Sequence, residues 1–436
     1  MIQVPALPIE RIDSEDASTV LASGPTFGIV TVRLLFLVGS AADGDRPGIA
    51  ALAWEMSERG TSDLSRTAFH EALEATGAEW SMHVARRVTI VDLRVLREHL
   101  ERALELVTDA LLKPADAPEE LAALIEEVDE RVACDLEDPG RVVSRAVPVA
   151  MWDGTGWSIP IEGTRESREG IRADELHAHR TKILGSRLAI GIAADEPASV
   201  VSLVNAFVAR IREAATDAPT MLARPEPGWG TSHFYPFPTE QGALTIVSDA
   251  ADSGGSDWAA AGLHSTYFGE GFSSPLMEAV RSKHGLSYEV AWHVLPELER
   301  GLHVFRAYPE SGNLARTLEV VRTCWEEHAS VRPESEVFER AKASFLGSRL
   351  VALETAERRM TSALSLVRMG LPIERLWKLP AAVAELTVDE MVSASERFGW
   401  HTGRQVLIAS GNESATPEQW GSTSLKLENR DPESLV

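Results

Sequence analysis

Arg281 and Tyr288 stand on either side of one short corner, with Gly285 between them. A helix reads from Pro275 to His284 and a strand from Ser287 to Val294, so Arg281 falls in the last helical turn and Tyr288 at the start of the strand. The guanidinium presents a planar fork of N–H donors and the phenol one O–H donor. Such a pair can hold peptide carbonyls or a developing oxyanion. A plainer arrangement, with Arg281 in a surface ion pair and Tyr288 packed on the sheet, fits the same spacing. Other groups carry less. His177 and His179 are the only close histidine pair, but residues two apart on a helix point about 200° apart and cannot face one ion. They read as solvent-facing. His70 and Glu74 sit one turn apart without a third ligand and read as a surface pair. His284 precedes a helix-ending glycine, where a cation meets the negative end of the helix dipole. Glu126, Glu127, Asp129 and Glu130 read as a solvated acidic face. Gly269-x-Gly271 lacks the strand–helix setting of a nucleotide loop, no Gly-x-Ser-x-Gly elbow is present, and neither Cys134 nor Cys324 lies in a nucleophile motif.

The corner must be held by a scaffold, and the sequence offers the same scaffold twice. Pro219, Pro225, Pro227, Pro236 and Pro238, with Gly228 and Gly230 among them, predict an extended linker over 219–242. It separates an N-terminal domain, 1–218, from a C-terminal domain, 243–436. In the first, strands are expected at Gly28–Val38 and Leu188–Ala194 and a hairpin within Trp80–Val95. Helices are expected at Gly48–Arg59, Ser65–Ala75 (stopping at Gly77), Glu98–Leu112, Pro118–Leu136 with Asp116 as a cap, and Pro197–Glu213. In the second, strands are expected at Ala243–Ser248, Ser287–Val294, Leu302–Tyr308 and Gln405–Ala409. Helices are expected at Asp257–Gly269, Pro275–His284, Leu314–His328 and from Glu334 through the 360s; from about Ser414 the chain reads as a loose tail. Phe69-His70-Glu71-Ala72-Leu73 before Gly77 matches Met277-Glu278-Ala279-Val280-Arg281 before Gly285. Ile171 to Leu176 matches Leu386 to Met391 at nearly the same offset, which points to duplication.

Several stretches together resemble the pitrilysin-type (inverzincin) zinc peptidases, in particular the small bacterial branch related to mitochondrial processing peptidase. They are Phe36-Leu37-Val38-Gly39-Ser40, the helix opening Pro47-Gly48-Ile49-Ala50 and ending Arg59-Gly60-Thr61, Glu74 to Ala78, Glu120-Leu121 leading to Asp138-Pro139, and Leu276 to Tyr288. The likeness runs from about Gly28 to Gly411. It implies an α+β fold of two homologous α/β-roll halves, each a mostly antiparallel sheet packed with helices. Active members carry H-x-x-E-H on the first helix, since two histidines four apart share one face and the glutamate beside them activates a zinc-bound water. Aligned on Gly60-Thr61, those five positions are Ala51-Leu52-Ala53-Trp54-Glu55, and the later acidic ligand falls at Arg131, or at Glu130 with a one-residue shift. A methyl cannot ligate, an indole cannot act as a base, and a guanidinium repels a cation. The resemblance therefore implies no metal, cofactor or catalytic residue in this chain.

It also implies that Arg281 and Tyr288 are substrate-binding groups of the second half, placed across a chamber from the zinc. Some similar bacterial proteins are heterodimers in which one chain keeps zinc and its partner keeps only the Arg and Tyr. The expected role is thus a silent subunit that grips peptide for a zinc-bearing homologous partner, in hydrolysis or leader removal. A structural core-type subunit of a larger complex is the alternative. A self-sufficient peptidase with an unusual metal site would need bound zinc in the isolated chain. Composition narrows the partners. Of 436 residues, 66 are Asp or Glu and 42 Lys or Arg, a net charge of −24 that repels phosphate and argues against nucleic acid or an anionic membrane. No apolar run nears the ~20 residues of a bilayer span. Two cysteines without a basic and apolar leader predict free thiols in the cytoplasm.

Overall fold

The structure is a computed structural model that describes residues 7–296, 299–398, 400, 403–415 and 427–436. In the first half the strands are β1 (Ile9–Asp13), β2 (Ala17–Ser23), β3 (Ile29–Phe36), β4 (Glu79–Val84), β5 (Thr89–Leu96) and β6 (Leu188–Ala194). Its helices are α1 (Ile49–Glu55), α2 (Arg66–Glu74), α3 (Leu100–Leu112), α4 (Pro118–Asp135), α5 (Pro139–Trp152), α6 (Arg165–Glu169), α7 (Ala173–Leu184) and α8 (Val201–Glu213). The second half holds β7 (Ser232–Pro236), β8 (Ala243–Ala250), β9 (Val290–Leu295), β10 (Gly301–Ala307), β11 (Gln405–Gly411) and β12 (Glu428–Asn429). Its helices are α9 (Trp258–Gly269), α10 (Pro275–Met277), α11 (Leu314–His328), α12 (Ser335–Val351), α13 (Ala356–Arg368), α14 (Arg375–Glu385) and α15 (Val388–Arg397).

The strands form two six-stranded sheets, ordered β1-β2-β6-β3-β5-β4 and β12-β7-β11-β8-β10-β9. Five strands correspond one for one. In each sheet the first strand of the five runs parallel to the second, as β2 to β6 and β7 to β11, and the other pairings are antiparallel. The architecture is the expected α+β pair, with the element order repeated.

Each half covers the other's sheet with one helix. On the second sheet, Val142, Val143, Ala146 and Ala150 of α5 pack against Val247, Val304, Val406 and Ile408. On the first sheet, Met360, Ala363, Leu364 and Val367 of α13 pack against Val20, Ala22, Ala189 and Ala193. The alternation of β6 makes room for this. Leu188, Ile190 and Ile192 join the main core of the first half, whereas Ala189, Gly191 and Ala193 present a low surface to α13. A Cβ on Gly191 would lie 2.6 Å from Leu364 Cδ1 and 2.7 Å from Met360 Cγ, so the helix rests directly on the strand backbone.

Some expectations are corrected. The proline-rich stretch contains β7, which pairs in parallel with β11, so part of 219–242 belongs to the second sheet. Proline at the strand's end removes a donor where the ladder is already finishing. The helix expected from Glu334 through the 360s is two helices, and the Thr355 hydroxyl accepts from Arg358 N to start α13 anew. Asp116 does not cap α4, whose N-cap is Ala117; it accepts instead from the buried Arg180 at 3.1 Å. The tail expectation fails for its last residues, because Leu435 is buried against the face that holds α5; residues 416–426 lie outside the described residues. Both cysteines are free thiols, Cys134 exposed and Cys324 buried.

Candidate functional site

The first helix of the first half is where a zinc motif would sit. Gly48 adopts φ +92 to open α1, and its N–H donates to Asp43 Oδ2 at 2.9 Å. At the other end, buried Arg180 donates to the Ala53 carbonyl at 2.9 Å. Between them Ala50, Leu52, Ala53 and Trp54 are buried. The Trp54 ring, 1 % exposed, lies 5.5 Å from that of Phe36 and fills the core beneath the helix. Glu55 meets Arg131 of α4 through Arg131 Nη2 at 2.9 and 3.2 Å and Nη1 at 3.3 Å. Burial works against the Arg131 charge, but the hydrogen bonds and fields of Glu55, Glu162 and Asp135 outweigh it and hold its pKa above the ordinary value. Arg131, rather than Glu130, is thus the α4 residue that faces the end of α1.

These side chains do not fit a zinc ion. A methyl and a core-filling indole provide no ligand, and the one carboxylate is taken by a guanidinium. Among the described residues, no group of three or more His, Cys, Asp or Glu is placed to hold a metal.

The second-half corner is built differently. The Ser274 hydroxyl accepts from Met277 N, Pro275 occupies the first helical position, and α10 widens into a π-helical turn over Glu278–Lys283. Gly285 at φ +60 then reverses the chain, with Leu286 N donating to Val280 O at 2.9 Å. Tyr288 precedes β9, which starts at Val290 rather than at Ser287. The Arg281 guanidinium carbon lies 4.2 Å from the centre of the Tyr288 ring and 5.3 Å from that of Phe272. Both rings are open to solvent, at 82 % and 79 %. Among the described residues, the guanidinium makes no hydrogen bond and no ion pair. Its faces are covered by aromatic π-systems while its N–H edge stays free.

Phe272 escaped the sequence reading. The available signal was a large apolar residue inside Gly269-Glu270-Gly271-Phe272-Ser273-Ser274, a loop with no periodicity to carry it into a core.

The remaining candidates resolve one by one. His177 is exposed, 4.0 Å from Asp116, but His179 is buried and lies 3.6 Å from Asp43 Oδ1, which overturns its reading as solvent-facing. Burial pushes Asp43 up to about 7 and His179 down to about 4. His70 bonds the Glu58 carbonyl at 3.0 Å in place of the expected pairing with Glu74. His284 caps the end of the π-helical turn. Of the acidic run, Glu127 pairs with Arg59 and Arg66, and Asp129 with Arg165 and the buried Arg168, so half of it is structural.

Duplicated lobes that trade covering helices, with an Arg/Tyr corner in the second, define an M16-type peptidase fold. The chain belongs to the insulinase (peptidase M16) family: residues 18–165 match the insulinase domain of that family and residues 171–345 the peptidase M16 inactive domain. It is 26% identical over 264 residues to an uncharacterized zinc protease of Mycobacterium leprae, a stretch spanning 58% of each chain. It is 20% identical over 405 residues to a non-peptidase homolog of Helicobacter pylori, covering 89% of this chain and 91% of that one. A peptidase M16 inactive domain structure from Pseudomonas fluorescens superimposes with a TM-score of 0.83 at 21% identity, over 93% of this chain and 98% of that one. The chain is an M16 member without a zinc-type hydrolytic centre at the family's position, on the strength of Ala51, Trp54, Glu55 and Arg131. Among the described residues, no helix is long and apolar enough to cross a membrane.

Proposed function

We propose that this chain is the zinc-less subunit of a heterodimeric M16 peptidase. Arg281 and Tyr288 grip peptide substrate for a zinc-bearing homologous partner. The observation that carries the reading is the state of Arg281. In a chain of net charge −24, it is a guanidinium without a carboxylate partner among the described residues, held in place by exposed rings. A side chain kept solely for a surface ion pair would have one. Strand β9, which follows Tyr288, is the outer strand of its sheet among the described residues and would offer its backbone edge to an extended peptide. The substituted α1 supports the division of labour, with zinc and the activated water belonging to the partner. A cytoplasmic setting is part of the proposal and rests on the two free thiols.

Mixing separates this reading from a structural role. The purified chain with an unlabelled zinc-bearing M16 homologue from the same genome and a quenched fluorescent peptide should hydrolyse the peptide; the isolated chain should not. Arg281→Ala should cut the kcat/KM of the mixture at least tenfold, through loss of a charged hydrogen bond worth about 1.5–3 kcal/mol. Rates in the mixture that ignore Arg281→Ala and Tyr288→Phe would make the corner a relic. Stoichiometric zinc and activity in the isolated chain would overturn the reading altogether.

A further inference from the structure

A second site lies away from the corner, on the back of α13. A cleft of about 270 Å³ opens between α12, α13 and α14, floored by Trp258, Leu353, Leu366, Met369 and Leu379. The sheet-facing stripe of α13, Met360 to Val367, is committed to the first half, so Leu366 and the nearby Ser362 line the helix's other side. The cleft is just under the ~300–1,000 Å³ of drug-sized pockets, which limits an occupant to a short molecule.

Three features give the apolar floor a polar mouth. Arg349 and Arg375 line it, and among the described residues neither makes an ion pair or a side-chain hydrogen bond. Arg349 lies over the Phe345 ring at 5.0 Å. Arg375 is the first residue of α14, where the helix dipole already presents positive charge. Both arginines line the same apolar cleft with N–H donors left over, which an anion seated there can use. Ser253 adds a hydroxyl to the wall; the residue is 2 % exposed and its Oγ has no hydrogen-bond partner among the described residues. A buried hydroxyl without a partner loses its hydration for no return until a ligand atom meets it.

We infer that this cleft binds a short aliphatic carboxylate, with its chain on the Leu366–Met369 floor and its carboxylate at Arg349 and Arg375. The walls supply burial of methylenes, and the two arginines supply charge-assisted hydrogen bonds. Because α13 is the helix that the second half lays on the first sheet, occupancy adds contacts behind the joint between the halves. It should therefore raise the unfolding temperature of the whole chain.

Octanoate is the probe, with octanamide and octylamine as controls. Calorimetric titration of the full chain should give saturable 1:1 octanoate binding and a concentration-dependent rise in Tm. Octanamide should bind at least tenfold more weakly and octylamine not at all. Arg375→Gln and Arg349→Gln should each weaken octanoate about tenfold or more, the range for losing one charged hydrogen bond. Ser253→Ala should leave the Tm of the free protein unchanged or slightly higher, because it removes an unpartnered group. Ala352→Phe, which fills the cleft from its wall, should abolish binding while circular dichroism stays native. Equal binding of octanoate and octanamide, or octanoate affinity untouched in both arginine variants, would overturn the assignment, as would titrations with no saturable phase. If Ala352→Phe fails to fold, the two arginine variants at the cleft mouth still decide the question.

Discussion

The helix–glycine–strand corner occurs once in each half, and the two copies have opposite fates. In the first, α2 runs to Glu74, Gly77 turns at φ +65 and Trp80 lies in β4. In the second, Gly285 turns at φ +60 and Tyr288 leads into β9. Arg281 corresponds to Leu73 and Tyr288 to Trp80. Leu73 is buried, and Trp80 meets Phe69 edge-on with ring centres 5.4 Å apart, so the first corner closes into core. The second corner turns the corresponding pair outward, stacked on itself and on Phe272. One local difference is the π-helical turn of Glu278–Lys283, where α2 is a regular α-helix. A wider turn changes the direction in which later side chains leave the axis, and such turns gather at functional sites. Duplication kept the bend and changed what it displays.

The sharpest way to break this comparison is to truncate one aromatic on each side of it. Trp54→Ala, in the closed first half, should cost about 3–5 kcal/mol in urea unfolding, the range for emptying a large aromatic site in a core. Tyr288→Ala should change stability by no more than about 0.5 kcal/mol, as expected of an exposed ring. Comparable losses from the two would mean that Tyr288 is structural after all. Next in size is the helix exchange. Met360→Ala, on the sheet-facing side of α13, should cost about 2–4 kcal/mol by opening space against Gly191 and Ala193. Its signature is a first half that loses hydrogen-exchange protection on β2 and β6, although the substitution lies in the second.

Much of this was legible because periodicity and termination agree in the regular elements. β6 and α11 have the bounds that Leu188–Ala194 and Leu314–His328 announce. The corner was legible because glycine is the residue that tolerates a left-handed turn. What stayed hidden depends on the partner rather than on the segment. Ile9–Asp13 carries Glu10, Arg11 and Asp13 and shows no clear strand pattern, yet it pairs along its length with β2. Nothing in α5 or α13 says which sheet it will cover, since an apolar stripe fits either. His179 was excluded as a joint ligand with His177 by helical geometry, but that geometry is silent on whether one of the two turns inward. Phe272 joins the site through a contact with Arg281 that no spacing rule encodes.

A smaller effect depends on pH and lies within the first half. Asp43, beneath the start of α1, is raised by burial to about 7 from 3.8, so its ionisation cost is absent below about pH 4 and complete above about pH 7. His179 runs the other way. Held at about 4 against 6.5, it favours the fold above pH 6.5 and loses that contribution as pH falls toward 4. The Arg86 charge acts on Asp43, favouring its ionised form, and the Lys182 and Arg180 charges act on His179, favouring its neutral form. Asp43→Asn keeps an acceptor for Gly48 N–H and removes the charge. Its Tm relative to the parent should therefore rise from pH 4 to pH 8. A flat difference would mean that Asp43 is ionised and compensated throughout that range.

The smallest effect concerns the pair that replaces the zinc ligands. Glu55 and Arg131 are bidentate, but their side chains are 33% and 53% exposed, and a half-exposed ion pair is worth about 0–1 kcal/mol. Arg131→Ala should accordingly shift the unfolding midpoint very little, and less still in 0.5 M salt. The value of that variant lies in what does not follow from it. With the guanidinium gone, Glu55 lies beside a methyl and an indole, and the acids around it form no group of three placed to hold a metal among the described residues, so the site is still short of the ligands that zinc needs. Zinc added to Arg131→Ala should neither raise its Tm nor bind stoichiometrically. Tight zinc binding there would mean that a single cation had been masking a nearly complete site, and the first half would have to be counted as recently closed rather than rebuilt as core.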